Sequence, residues 1–323
     1  MEVCDRPILG SGDFVYEVSG EDWGDIPEGS TYKEATAVAV DGDDNVYVFN
    51  RGTNPMIVFD IEGKVQRTWG HGIFSSPHGV TVGPDGTIWC VDNADHSVRQ
   101  FTPDGKLLLT MGTPGQRTTP MSGKAFSGPT HVGFDPRNGD FYVADGYSNA
   151  VVHKYSPDGN ELFSWGESGT AEGQFNIVHY VAVDRDGWVY IADRENHRIQ
   201  VFSPEGKYET QWINLSRAAC LHLDYRFDQP LMYIGEYFGG IGNNRMGTNL
   251  GPRVTIADLK GNYLAKLGLD PYGDEPGRFY SPHGIAVDSK GDIYVAEVSW
   301  ADYGSKMDPP IELRSMQKLV KQG

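Results

Sequence analysis

One supersecondary unit recurs six times along this 323-residue chain, and no other feature restricts its fold so tightly. Each copy runs from a short apolar stretch through an Asp/Gly turn to a run resembling Tyr-Val-Ala-Asp. An Asn-x-x-Ile-x-x-Phe-like run, a Gly-bearing turn and a last apolar stretch follow. The registers are 37–70, 80–112, 132–166, 181–213, 221–268 and 285–323. The fourth is cleanest, with Trp188-Val189-Tyr190-Ile191-Ala192-Asp193 leading into Asn196-His197-Arg198-Ile199-Gln200-Val201-Phe202. Alternating runs separated by Gly, Asp and Pro read as antiparallel strands, and no segment carries a long 3.6-residue period. Four strands in roughly forty residues are one propeller blade, so the pattern predicts an all-β, six-bladed β-propeller. Residues 1–323 are expected to form a single domain. Its sixth blade is one strand short, and Phe14-Val15-Tyr16-Glu17-Val18, ahead of the first repeat, is the candidate to close the ring.

Charge and cysteine content narrow the function classes. With 27 Lys and Arg against 44 Asp and Glu, a formal net charge of −17 disfavours nucleic acid and anionic membrane as partners. Cys4, Cys90 and Cys220 form neither a disulfide framework nor a CxxC metal site. The polar opening Met1-Glu2-Val3-Cys4-Asp5-Arg6 does not read as a signal peptide, and no run is long and apolar enough to span a bilayer. A cytoplasmic location is expected.

Aligning the repeats on their first turn places one residue per blade in a common column: Thr36, His78, Thr130, His179, Ala219 and His283. Histidine occupies blades two, four and six. Alternate blades of a six-fold ring stand about 120° apart, so three imidazoles at one height converge. That is a three-histidine metal site with an open fourth position, and three neutral imidazoles favour zinc, with iron or another divalent transition metal as substitutes. A lone strand histidine is ordinarily a hydrogen-bonded core residue. That reading holds for His71, His96, His131, His153 and His197, and His222, on an inner strand, is the next candidate after the column.

A second column follows the next strand: Arg51, Asn93, Gly146, Arg194, Tyr237 and Val298, with Tyr147 one place beyond in blade three. Arg51 and Arg194 fall three blades apart and suit a substrate carboxylate, though Arg194 has Asp193 and Glu195 beside it as alternative partners. Two excursions interrupt the repeat, 113–127 and the Gly/Asn-rich 236–247, and both are candidate substrate loops or lids.

Asp193-Arg194-Glu195-Asn196-His197-Arg198-Ile199-Gln200 resembles the NHL repeat. Beyond the repeat, the three histidine segments, Asp145-Gly146-Tyr147-Ser148-Asn149, Phe163-Ser164-Trp165-Gly166 and Gly173-Gln174-Phe175 resemble the peptidyl-α-hydroxyglycine α-amidating lyase family. The resemblance implies a propeller lyase that splits N-acyl-α-hydroxyglycine into an amide and glyoxylate. It implies that His78, His179 and His283 ligate zinc and that Tyr147 is the catalytic base. Arg51 would sit beside that tyrosine and lower its pKa from about 10, and Arg194 would hold a carboxylate. Where the family has an Asp tied to a structural calcium this chain has Gly284, which puts that calcium in question; Ser281 and Ser148 replace a family methionine and cysteine. The expected reaction is cleavage of a C–N or related bond at a hydroxyl-bearing carbon of a small, carboxylate-bearing molecule. A metal-dependent hydratase or hydrolase on the same histidines, and a non-catalytic NHL interaction module, are the alternatives.

Overall fold

The computed structural model describes residues 6–19, 23–238 and 250–323. Among the described residues nearly all regular structure is β, with one short α-helix at Ser299–Asp302 and 3-10 turns at Arg194–Asn196 and Gly304–Lys306; the strands form the six larger sheets of a β-propeller arrangement and one two-stranded sheet. The described residues fall into two compact units, Met1–Thr68 with Asp224–Gly323, and Trp69–Leu223.

In the unit Trp69–Leu223 three four-stranded sheets begin with Pro77–Val82, Pro129–Phe134 and Val178–Val183, each followed by antiparallel neighbours. The second strands, Ile88–Asp92, Phe141–Asp145 and Val189–Asp193, are buried on both faces, which accounts for their unbroken apolar character. The last strands are more exposed, as in Leu107–Met111. Val152, Phe175, Val181, Ile191 and Phe202 form one core cluster of this unit, and Val91, Val98, Phe126, Val132 and Phe141 form another.

In the other unit the first sheet runs Ala35–Val40, Val46–Asn50, Met56–Phe59 and Val65–Trp69. Another sheet combines both ends of the chain, in the order Ile8–Ser11, Phe14–Val18, Met316–Lys321, Ile293–Glu297 and Pro282–Val287. Tyr16 pairs with Lys321 and Val18 with Leu319 there. Two Asp/Gly turns of this unit share one lock, a carboxylate that accepts from a tyrosine on the following strand: Tyr47 to Asp41 at 3.1 Å and Tyr294 to Asp288 at 2.9 Å. Cys90 and Cys220 are buried thiols, while Cys4 lies outside the described residues. Among the described residues no helix is long and apolar enough to cross a membrane.

Candidate metal centre

Each column histidine owes its direction to an irregularity in its sheet. Pro77 pairs with Asp92 and Gly79 with Val91, so His78 is an extra residue without a cross-strand partner. The same slip leaves His179 between Val178 and Tyr180, and His283 between Pro282 and Gly284. A β-bulge of this kind turns one side chain out of the pleat without ending the strand. It also explains the glycines that follow. A Cβ on Gly79 would stand 2.4 Å from the Thr130 carbonyl oxygen, and one on Gly284 would stand 2.5 Å from Ala37 Cα. At Gly284 the neighbouring backbone thus occupies the room a side chain would need, and the residue offers no side-chain ligand.

A buried carboxylate clamps the approach to each bulge. Fourteen residues beyond the histidines stand Asp92, Asp193 and Glu297, each at the end of the second strand. Asp92 accepts from the backbone N–H of Ser76 at 3.0 Å, Asp193 from that of Asn176 at 2.7 Å, and Glu297 from those of Tyr280 at 2.7 Å and Ser281 at 3.1 Å. Burial pushes the Asp193 and Glu297 carboxyl groups upward, against the hydrogen bonds that favour their charged forms. These acids lie inside the Ala-Asp run of the repeat, where sequence reading saw only strand pattern.

The three imidazoles then share one tautomer. His78 Nδ1 lies 2.8 Å from the carbonyl oxygen of Thr130, His179 Nδ1 2.6 Å from that of Ala219, and His283 Nδ1 2.5 Å from that of Thr36. A carbonyl only accepts, so each Nδ1 carries the proton and donates it, leaving Nε2 as the nitrogen able to ligate. Thr36, Thr130 and Ala219 are the other three members of the column, so the odd-numbered blades orient the rings of the even-numbered ones. All three histidines are buried, and the His78 and His179 rings, which belong to one unit, have centroids 5.0 Å apart. Buried imidazoles that offer Nε2 in this way are a donor set that could hold a transition metal ion.

Tyr147 meets two of these rings. Its hydroxyl is 3.0 Å from His78 Nε2 and 3.4 Å from His179 Nε2. Arg194, 6% exposed, donates from Nη1 to the same oxygen at 3.4 Å, and its guanidinium carbon stands 5.5 Å from the tyrosine ring centroid. Arg194 also donates through Nε to Glu195 at 2.8 Å, the neighbouring carboxylate expected as its alternative partner. Two guanidiniums outweigh the partial burial of Glu195 and hold its carboxyl below the usual range. Arg51, expected beside the tyrosine, bonds Glu34 at 2.6 Å, while the guanidinium on the tyrosine hydroxyl is that of Arg194.

The segment 113–127, expected as a lid or a loose excursion, is lashed to the tyrosine's own turn. Met121 N–H donates to Ser148 O at 2.8 Å, Asn149 Nδ2 to Lys124 O at 2.9 Å, and Tyr147 N–H to Gly128 O at 3.1 Å. Within the second excursion, 239–247 lies outside the described residues, while Tyr237 places its ring 5.9 Å from that of His283.

His131, next to the column, is structural. Its ring stacks on Tyr180 at 3.4 Å and contacts the Val181 carbonyl and the Thr81 hydroxyl. Burial lowers its pKa to about 3, despite the carbonyl contacts that favour the cation. The unfolded chain binds a proton near pH 6.5 that the folded chain refuses, so stability falls as pH drops from about 6.5 toward 3. The loss between pH 6.5 and 4.5 is expected to be about 2–3 kcal/mol from this residue. Urea midpoints at both pH values test it: His131→Gln is expected to be less stable at pH 7 yet to show a flatter decline, and parallel declines would contradict the assignment.

Residues 74–101, 175–202 and 279–300, which carry the three histidines, match the NHL repeat. The chain is 34% identical over 261 residues to peptidyl-alpha-hydroxyglycine alpha-amidating lyase 1 of Drosophila melanogaster, covering 73% of this chain and 45% of that protein. It is 36% identical over 269 residues to peptidyl-glycine alpha-amidating monooxygenase A of Xenopus laevis, covering 79% of this chain and 28% of that one. The chain therefore spans less than half of the length of these two relatives. Human NHL repeat-containing protein 3 is 33% identical over 65% of this chain and 66% of its own length. A solved streptogramin B lyase superposes with a TM-score of 0.58 over 97% of this chain and 98% of that one at 13% identity, a likeness of fold.

Proposed function

Starting from a chain that carries NHL repeats on a six-bladed propeller and is related in sequence to amidating lyases, we propose that it is a metal-dependent lyase. It would cleave the C–N bond at a hydroxyl-bearing carbon of a carboxylate-bearing substrate such as an N-acyl-α-hydroxyglycine. The observation that carries this reading is the Tyr147 hydroxyl, set against Nε2 of His78 and His179 with Arg194 on its oxygen.

In this proposal His78, His179 and His283 hold zinc through Nε2. Bound zinc supplies Lewis-acid polarisation of a substrate oxygen. Tyr147 takes the proton of the substrate hydroxyl, and the electron pair of that O–H bond becomes the new carbonyl bond. The C–N bond breaks, its pair stays on nitrogen, and the proton on Tyr147 passes to that nitrogen. Amide and glyoxylate leave with no water consumed. Arg194 donates to the tyrosine oxygen while it bears negative charge, a charge-assisted bond. Arg51, held by Glu34, is the proposed partner of the substrate carboxylate.

The test is incubation of the zinc-loaded protein with N-acetyl-α-hydroxyglycine and, in parallel, ureidoglycolate. One glyoxylate per N-acyl substrate consumed is the expected result. No glyoxylate above a heat-denatured control from either compound would remove the reading.

A further inference from the structure

Glu195 is shared unequally between two arginines. Its Oε1 accepts from Arg217 Nε at 3.1 Å and Nη2 at 2.6 Å, and from Arg194 Nε at 2.8 Å. Arg217 therefore presents the Nε–Nη2 edge of its guanidinium to that one oxygen, and Arg194 meets it through Nε. That division leaves Arg194 Nη1 directed at the Tyr147 hydroxyl. It also fixes the charge, since two guanidiniums and one carboxylate sum to one positive charge beside the tyrosine. With Arg217 gone, Arg194 and Glu195 would be a neutral pair, and the stronger two-pronged geometry would become open to Arg194 at the expense of its contact with Tyr147.

We propose that Arg217 is a positioning residue: by occupying Glu195 it keeps Arg194 on Tyr147 and keeps the cluster cationic. Arg217 opens the first strand of the fifth sheet, Arg217–Asp224, and lies outside both columns that the repeat defines, so nothing in the repeat marks it.

The kinetic part of this inference rests on the proposed lyase reaction; the structural part does not. The experiment compares wild type, Arg217→Gln, Arg217→Lys and the double variant Glu195→Gln/Arg217→Gln by crystallography, metal content, melting temperature and steady-state kinetics on N-acetyl-α-hydroxyglycine. In Arg217→Gln crystals Arg194 is expected to turn both nitrogens of one edge onto Glu195 and leave hydrogen-bond reach of Tyr147. Its kcat is expected to fall about 10- to 100-fold with KM within about twofold, the size of effect a small misplacement produces. Metal content and melting temperature should stay at wild-type values. Lysine at position 217 should recover part of kcat, and the double variant, relieved of the carboxylate that competes with Tyr147 for Arg194, should be faster than Arg217→Gln. Arg194 unmoved in Arg217→Gln crystals would overturn the proposal, as would a kcat loss that tracks metal loss or melting temperature, or a double variant no faster than the single. A wild type that makes no glyoxylate removes the lyase reading alone, and the crystals still decide the role of Arg217.

Discussion

Tyr147→Phe is expected to lower kcat on an N-acyl-α-hydroxyglycine by about 1000-fold, with little change in KM, in steady-state assays of glyoxylate release. The substitution removes one oxygen and keeps the ring, which packs edge-on to His78 with centroids 5.2 Å apart and under the guanidinium of Arg194. The turn that carries the tyrosine is held by backbone bonds that phenylalanine preserves, from position 147 N–H to Gly128 O and from Ser148 N–H to Ser127 O. Fold and metal content should therefore be unchanged. What goes is the single atom that contacts two column histidines and accepts from Arg194. A 1000-fold loss corresponds to about 4 kcal/mol of transition-state stabilisation, within the range of a removed general base. Wild-type kcat in the variant would leave the reaction without its assigned base.

Much of this arrangement was legible in the sequence because a propeller repeats. His78, His179 and His283 stand out once the repeats are aligned, since one position per blade performs one geometric task. The fold was legible for the same reason: the apolar runs and Asp/Gly turns are local signals, and local signals survive in a single sequence. The bulges were not legible, because inserting one residue where a strand begins leaves the later alternation intact. The carboxylate clamps were visible as a fixed spacing, yet Asp92, Asp193 and Glu297 read as strand ends, and only the backbone N–H groups of Ser76, Asn176 and Ser281 reveal their task. Long-range pairings were least legible. Tyr147 and Arg194 are 47 positions apart and meet through the packing of adjacent blades. From sequence Arg51 and Arg194 were two members of one column, of which only Arg194 had adjacent acids as alternative partners. Their carboxylates distinguish them, Glu34 for the first and Glu195 with Arg217 for the second.

The larger consequence concerns the histidines themselves. Removing one imidazole from a three-nitrogen site leaves two protein ligands, too few for either a structural or a catalytic zinc centre. His179→Ala is thus expected to abolish tight metal binding and, with it, turnover. His179 is 1% exposed, so the truncation also leaves a small cavity, costing about 1–3 kcal/mol of stability. His131→Gln is the control for that cost, since it alters an equally buried imidazole outside the column. Its metal content should match wild type while its stability at pH 7 falls.

Elemental analysis of protein purified without chelator is the most direct measurement of the central claim. About one transition metal per chain is predicted for wild type and for His131→Gln, zinc foremost, with a near-complete loss in His179→Ala. Metal-free wild-type protein that also fails to take up added zinc, or a His179→Ala protein that keeps a full equivalent, would contradict it.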